Sequence, residues 1–290
     1  MQSAIGVIGG SGLYEMEGLE EVREVEVSTP FGAPSDALVE GRYAGRRLVF
    51  LPRHGRGHRF LPSEVPYRAN IWALKSLGAE WVISVSAVGS LEEEARPGEI
   101  VLPDQFIDRT WGRPSTFFGN GLVGHVGLAD PVCGALQSVV WDTREAVGVP
   151  FHRGGAYLCI QGPQFSTRAE SFLYRGWGAR VIGMTNATEA RLAREAELCY
   201  VTVALVTDYD CWHETEEEVT VEAVLSVLRH NVETAKRIIR EAAASLPAER
   251  SCACAEAARY AILTAPEQVP PETRRAVDLF YGKYLGGQGT

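Results

Sequence analysis

The chain predicts an α/β fold, and three observations carry that prediction. Short apolar, β-branched runs alternate with stretches of helical periodicity along the first 245 residues. The run 199–207 is apolar almost throughout, which is the pattern of a strand buried on both faces. Several runs also end abruptly in loops rich in glycine, serine or charge, and in open α/β sheets ligands sit beyond the carboxyl ends of the strands.

Taken in order, residues 4–9 (AIGVIG) form a first apolar strand and 24–27 a short alternating second. Strands are expected at 37–42 and 47–52, followed by a helix over 66–77 that opens on Pro66. Strands at 81–86 and 100–103 precede a helix at 131–146, and a strand at 155–160 precedes a helix at 167–177. A strand at 180–183, a helix at 188–197 and the strand 198–207 follow. A helix over 220–244 shows Val221, Val224, Leu225 and Leu228 on one face. At 246–254 (LPAERSCAC) the pattern breaks, so residues 1–245 are expected to form one domain and 246–290 a helical tail carrying Cys-x-Cys.

With 46% hydrophobic and 22% charged residues in 290, the composition is that of a globular protein with a substantial core. The net charge of −9 argues against a nucleic-acid partner. No apolar run reaches the length of a membrane span and no signal-peptide pattern opens the chain, so a cytoplasmic protein is expected. Six cysteines are too sparse for a secreted disulfide scaffold.

The strand 199–207 runs directly into Asp208 and Asp210, which period-two geometry would point to one side while the chain stays extended. Such carboxylates suit recognition of a donor-bearing heterocycle and, when buried, delivery of a proton to it. An Asp-rich turn capping the next helix is the competing reading. Gly9-Gly10-Ser11-Gly12 follows the first strand, where amides can converge on an anion or simply make a tight turn. It lacks the third glycine and distal acid of a dinucleotide fingerprint, and no Gly-Lys-Ser/Thr is present. Arg53, His54, Arg56 and His58, spaced by glycine, fit an oxyanion site, with a solvated basic loop as the alternative. The small-residue segment 85–90 lets backbone amides approach an oxyanion, with a plain turn as the alternative. The loop 162–170 places Phe165 at a helix start, and 183–186 also lies between a strand and a helix.

Together these segments resemble the trimeric class of purine nucleoside phosphorylases, and within it the 5'-methylthioadenosine phosphorylases. The resemblance covers roughly residues 4–245 and rests on IGVIGGSGLY, TPFGAPSDAL, PRHGRGHRFLPSEVPYRANIWALKSLG, SAVGSL, DQFIDRT, QGPQFSTRAESFLYRGWGARVIGMTNATEARLARE and TDYDCW. It implies a single-domain nucleoside-phosphorylase fold, a central twisted mixed sheet flanked by helices. It also implies phosphorolysis: phosphate attacks C1' of the ribose as the purine leaves. The physics resembles glycoside cleavage, with an oxocarbenium-like centre and a leaving group that must be neutralised. For 5'-methylthioadenosine the products are adenine and 5-methylthioribose 1-phosphate, a step of purine and methionine salvage. Inorganic phosphate is a co-substrate, and neither a cofactor nor a metal is expected.

The resemblance places Ser11, Arg53, His54, Ser86, Ala87 and Thr185 at phosphate; relatives often carry Thr at the positions of Ser11 and Ser86, so the hydroxyl is kept. It places Met184 under the ribose, Phe165 on the base, and His58 among the substrate contacts. Relatives acting on 6-oxopurines carry Glu at the position of Ser166 and Asn at that of Asp208. Asp208, supported by Asp210 and Ser166, therefore argues for a 6-aminopurine, and Asp208, Asp210 and Arg53 are the expected catalytic residues. Val221 and Val224 match the positions facing the 5' substituent, where apolar burial favours methylthio. His125 matches a residue that a neighbouring subunit contributes, so a homotrimer is expected, with pairing of trimers into hexamers left open. The expected partners are thus a nucleoside, phosphate and copies of the chain.

Cys252-Ala-Cys254 has the form of a metal half-site, yet no histidine follows it and no second cysteine pair is near in sequence. Some thermophilic relatives close such a tail as a disulfide, which makes Cys252–Cys254 and Cys133–Cys199 candidate bonds by resemblance. Beside the methylthioadenosine reading stand a broader purine nucleoside phosphorylase acting on adenosine, inosine or guanosine, a non-catalytic purine-binding module, and a hydrolase.

Overall fold

A computed structural model describes residues 3–213 and 221–286, without the side chains of Ser11 and residues 221–230. An eleven-stranded mixed sheet forms the centre of the molecule. The strands are β1 (Ala4–Gly9), β2 (Glu20–Val25), β3 (Leu38–Tyr43), β4 (Arg46–Pro52), β5 (Ala79–Ser90), β6 (Ile100–Leu102), β7 (Gln105–Arg109), β8 (Phe151–Arg153), β9 (Ala156–Ile160), β10 (Ala179–Gly183) and β11 (Cys199–Asp208). The helices are α1 (Tyr67–Ser76), α2 (Gly134–Asp142), α3 (Arg144–Val147), α4 (Arg168–Gly176), α5 (Asn186–Glu195), α6 (Val221–Ser245) and α7 (Pro271–Tyr281).

One path through the sheet runs β2-β3-β4-β1-β5-β10-β9-β7, while β11 branches from β5 and continues through β6 to β8. The branch is possible because β5 is twelve residues long. Its body pairs in parallel with β1 and β11, whereas Gly89 and Ser90 at its end pair antiparallel with β10. The carboxyl ends of β5, β10 and β11 therefore converge, and this junction positions the site.

Helices cover both faces of the sheet. In β1, Ile5 and Val7 enter one core layer with α2 and α6, and Ala4 and Ile8 enter the other with α1 and α5. In β11, Val201, Val203 and Leu205 face the first layer and Tyr200 the second. Both faces being covered is why 199–207 reads as a continuous apolar run, each fully buried aliphatic side chain contributing roughly 1.5–3 kcal/mol.

Several boundaries differ from expectation. The second strand lies at Glu20–Val25 rather than 24–27, because pairing with β3 (Arg23 opposite Glu40) selects the register of an exposed edge strand. The expected helix 131–146 is two: the Thr143 hydroxyl donates back to the Val140 carbonyl at 2.8 Å, and the chain turns between α2 and α3. Strands β7 and β8 were not expected, being short and half polar. The small-residue segment 85–90, expected as a loop, continues β5.

Beyond α6 the tail is built into the core. Leu246 and Cys254 join one apolar layer, and Ala258, Ala261, Val269, Val277, Phe280 and Tyr281 the other. Tyr281 stacks on Phe118 at 5.2 Å between ring centroids.

Candidate active site

A cavity of about 400 Å³ opens where strands β1, β4, β5, β9, β10 and β11 end. Of the residues expected at the site, Arg53, His54, His58, Ser86, Ala87, Phe165, Ser166, Met184, Thr185, Asp208 and Asp210 all line it. Gly10 lines it beside Ser11, and Val232 brings α6 to its wall. Val221 and Val224 lie on the first turns of α6, but their side chains are outside the described residues. His125 does not line this cavity. It is exposed on the surface, its backbone N–H donating to the Ala261 carbonyl at 2.8 Å.

The Asp208–Asp210 pair reaches the cavity by a different route from the one period-two geometry implies. The strand stops at Asp208, and Asp210 takes a left-handed backbone (φ 54°) at the start of a 3-10 turn. The turn is held by Asp208 itself, whose Oδ1 accepts from the Asp210 N–H at 2.8 Å while its Oδ2 accepts from the Thr207 hydroxyl at 2.7 Å. Gly89 makes room for it, since a Cβ there would lie 2.9 Å from Asp208 Oδ1. Asp210 is buried, and its Oδ2 has no hydrogen-bond partner among the described residues. Burial, and then the Asp208 charge, raise its pKa above the ordinary carboxylate value despite the lowering influence of the Ser171 hydroxyl. Ser166 Oγ is likewise buried without a partner. Phe165 is 50% exposed and lines the same cavity, a large apolar ring with a free face.

Arg53 and His54 line the same cavity, although Arg53 does not turn its fork to it as the sequence implies. Its Nε and Nη2 meet the two Glu189 oxygens at 2.5 and 3.2 Å, Nη2 also donates to Ser84 Oγ at 2.6 Å, and Nη1 donates to the Val85 carbonyl at 2.9 Å. A guanidinium has five N–H donors, so among the described residues one Nη1 hydrogen is left for a ligand. Burial works against the Arg53 charge, yet the Glu189 carboxylate beside it carries the pKa above the ordinary value. Burial, reinforced by the Arg53 charge, pushes His54 down to about 4. A neutral His54 donates from Nδ1 to the Phe60 carbonyl at 2.8 Å, which leaves Nε2 as an acceptor. Its ring stacks on His58 at 4.3 Å.

The family model described as "Phosphorylase superfamily" matches residues 4–244. The chain belongs to the phosphorylase superfamily. Among curated members, an S-methyl-5'-thioadenosine phosphorylase of Geobacter sulfurreducens is 58% identical over 286 residues, covering 98% of this chain and 100% of that protein. One of the same name from Koribacter versatilis is 58% identical over 288 residues, covering 99% of each. A crystal structure of a methylthioadenosine phosphorylase from an antarctic soil metagenomic library superposes with a TM-score of 0.92 at 46% identity, covering 97% of this chain and 99% of that one. Methylthioadenosine phosphorylase of Schistosoma mansoni, solved in complex with adenine, gives 0.81 at 39% identity, covering 89% of this chain and 96% of that one.

A layer beneath the cavity escaped the sequence reading. Glu189 Oε2 also accepts from Ser84 Oγ at 2.6 Å and from the Tyr200 hydroxyl at 3.0 Å, and Asn186 Nδ2 lies 3.0 Å from Ser84, Tyr200 and Thr202. Glu189 follows Thr185 by four residues, one helical turn, and that spacing was the available signal. Arg113, also missed, donates to the carbonyls of Met184 at 2.6 Å and Gln161 at 2.7 Å, tying together two loops at the cavity. The Tyr157 ring lies against Gly183, where a Cβ would come within 1.9 Å of its hydroxyl.

Proposed function

We propose that this chain phosphorolyses 5'-methylthioadenosine to adenine and 5-methylthioribose 1-phosphate. The observation that carries the reading is the lining of one cavity, which brings Arg53 and His54 together with a carboxyl pair, a hydroxyl unpartnered among the described residues and a half-exposed aromatic ring. The full-length similarity to S-methyl-5'-thioadenosine phosphorylases supports the same substrate.

In this reading phosphate sits against Ser11, His54, Ser86, Ala87, Thr185 and the free Nη1 hydrogen of Arg53, below a ribose resting on Met184. A phosphate oxygen attacks C1', the C1'–N9 pair passes to the purine, and the leaving base is protonated at N7. The raised pKa of Asp210 and its open Oδ2 make the Asp208–Asp210 pair the proton source, while Ser166 and Phe165 hold the base. Val221, Val224 and a His125 lent by a neighbouring subunit would enclose the methylthio group, in a homotrimer. The exposed Trp111, Val123 and Leu128 on the segment carrying His125, Phe172 and Leu173 on α4 and Trp177 directly after it support such a contact. The reaction needs no cofactor beyond phosphate as co-substrate, and its setting would be cytoplasmic salvage of purine and methionine.

Release of the free base, adenine from methylthioadenosine and adenosine and hypoxanthine from inosine, measured with and without phosphate, tests the reading. Phosphate-dependent release that favours methylthioadenosine is expected. Release without phosphate would make the chain a hydrolase, no release a binding module, and equal rates on inosine a broad-specificity phosphorylase.

A further inference from the structure

Four of the six cysteines, remote from one another in sequence, meet at one point. Cys133 stands at the N-cap of α2, Cys199 begins β11, and Cys252 and Cys254 flank the start of a 3-10 turn in the tail. Their four Sγ atoms lie within 4.8 Å of one another. Cys252 Sγ is 3.7 Å from Cys133 Sγ and 3.3 Å from Cys199 Sγ. All are free thiols, so neither the Cys133–Cys199 nor the Cys252–Cys254 bond implied by resemblance is formed. The sequence reading found no second pair for Cys-x-Cys because the second pair is assembled only by packing.

We propose that Cys133, Cys199, Cys252 and Cys254 form a tetrathiolate site for one zinc ion, which clamps the tail to the sheet. Zinc held by four thiolates at about 2.3 Å sets its sulfurs on a tetrahedron with edges of about 3.8 Å. The observed separations need only small side-chain rotations to reach it. An all-sulfur set selects zinc over magnesium or calcium, and with four protein ligands the site is closed and structural. Three of the cysteines are buried and Cys252 is half-buried, which keeps water from the fourth position. Each thiol loses its proton on binding, leaving a net negative centre. Two features offset that charge: Arg194 Nη1 lies 3.9 Å from Cys254 Sγ, and Cys133 sits at the N-terminus of a nine-residue helix.

Zinc here would take no part in phosphorolysis. Cys199 and Asp208 stand at opposite ends of β11, roughly 30 Å apart along the strand. What it would hold is the tail, whose Cys-x-Cys precedes the segment that pairs Leu263 N–H with the Val123 carbonyl and Ala261 with His125.

The test uses the full chain, expressed with zinc, purified in reductant and without a metal-affinity step. Elemental analysis should find about one zinc per chain. Cobalt exchanged into the site should show the intense visible bands of a tetrahedral thiolate complex. Cys252→Ser/Cys254→Ser should lose both, lower the Tm by about 5 °C or more, and keep phosphorolysis at low temperature. The cobalt spectrum of the unaltered chain does not depend on whether the variant folds. Substoichiometric zinc with no cobalt bands in freshly reduced protein would overturn the proposal, as would a non-reducing mass spectrum showing the four thiols paired as two disulfides.

Discussion

Asp210 is the residue on which the chemistry turns, because burial holds its carboxyl toward the protonated form while Oδ2 stays open to a ligand. Asp210→Asn keeps the shape and a donor amide but cannot transfer a proton. It should lower kcat on methylthioadenosine by about two orders of magnitude, the cost of losing one contact of roughly 2.7–4 kcal/mol made in the transition state. Asp208→Asn should act similarly on the 6-aminopurine and cost less on 6-oxopurine nucleosides. Equal losses on both base types would reduce the pair to a turn. Arg53 is harder to probe, since Arg53→Ala strands the Glu189 carboxylate in the core, a defect of about 3–5 kcal/mol. Arg53→Lys retains the charge but loses the Nη1 hydrogen left for a ligand, so the phosphate KM should rise at least about tenfold with the nucleoside KM little changed. An unaltered phosphate KM would remove this loop from the phosphate site. Arg53, His54 and Asp208 were legible from residue type and position at strand ends, and Ser166 only from the family resemblance. Glu189 was not, because a glutamate on a helix reads as solvated until packing turns it inward.

Among the elements, α5 carries a titration that is separable from catalysis. Burial raises Glu195 to about 7, against the lowering pull of the Phe117 N–H and the Thr116 hydroxyl that it accepts. A carboxyl whose pKa is raised on folding contributes stability that is complete below its unfolded pKa and is lost as pH rises through the folded value. The window here runs from about 4.5 to about 7. Relative to Glu195→Gln, the unaltered chain should lose up to about 1.4 kcal/mol per pH unit across that window, measured by denaturant unfolding. A pH-independent difference would show that Glu195 titrates normally. Long apolar elements such as β11 and α1 were legible because burial on one or two faces writes a period into the sequence. The short β7 and β8 were not, since three to five residues hold no period and their pairing comes from the rest of the sheet.

For the whole molecule, the position of His125 sets the expectation. It is exposed and away from the cavity of its own chain, so it can serve a methylthioadenosine site only across a subunit boundary. Light scattering should give an active species built on threes. His125→Ala should raise the methylthioadenosine KM severalfold and leave the phosphate KM unchanged. An active monomer, or an unaltered KM in the variant, would overturn the shared pocket.

The α/β class, the doubly buried strand and most of the cavity's polar residues are properties of the sequence itself. Periodicity records which faces are covered, and strand ends are where open sheets expose chemistry. Three features belong to packing alone. The left-handed turn at Asp210 replaces an extended pair, Glu189 engages two of the five Arg53 donors, and the four cysteines separated by up to 121 positions converge on one point. Each joins residues far apart along the chain or bends the backbone where a local pattern would keep it straight, and contacts of that kind leave no period for a sequence to show.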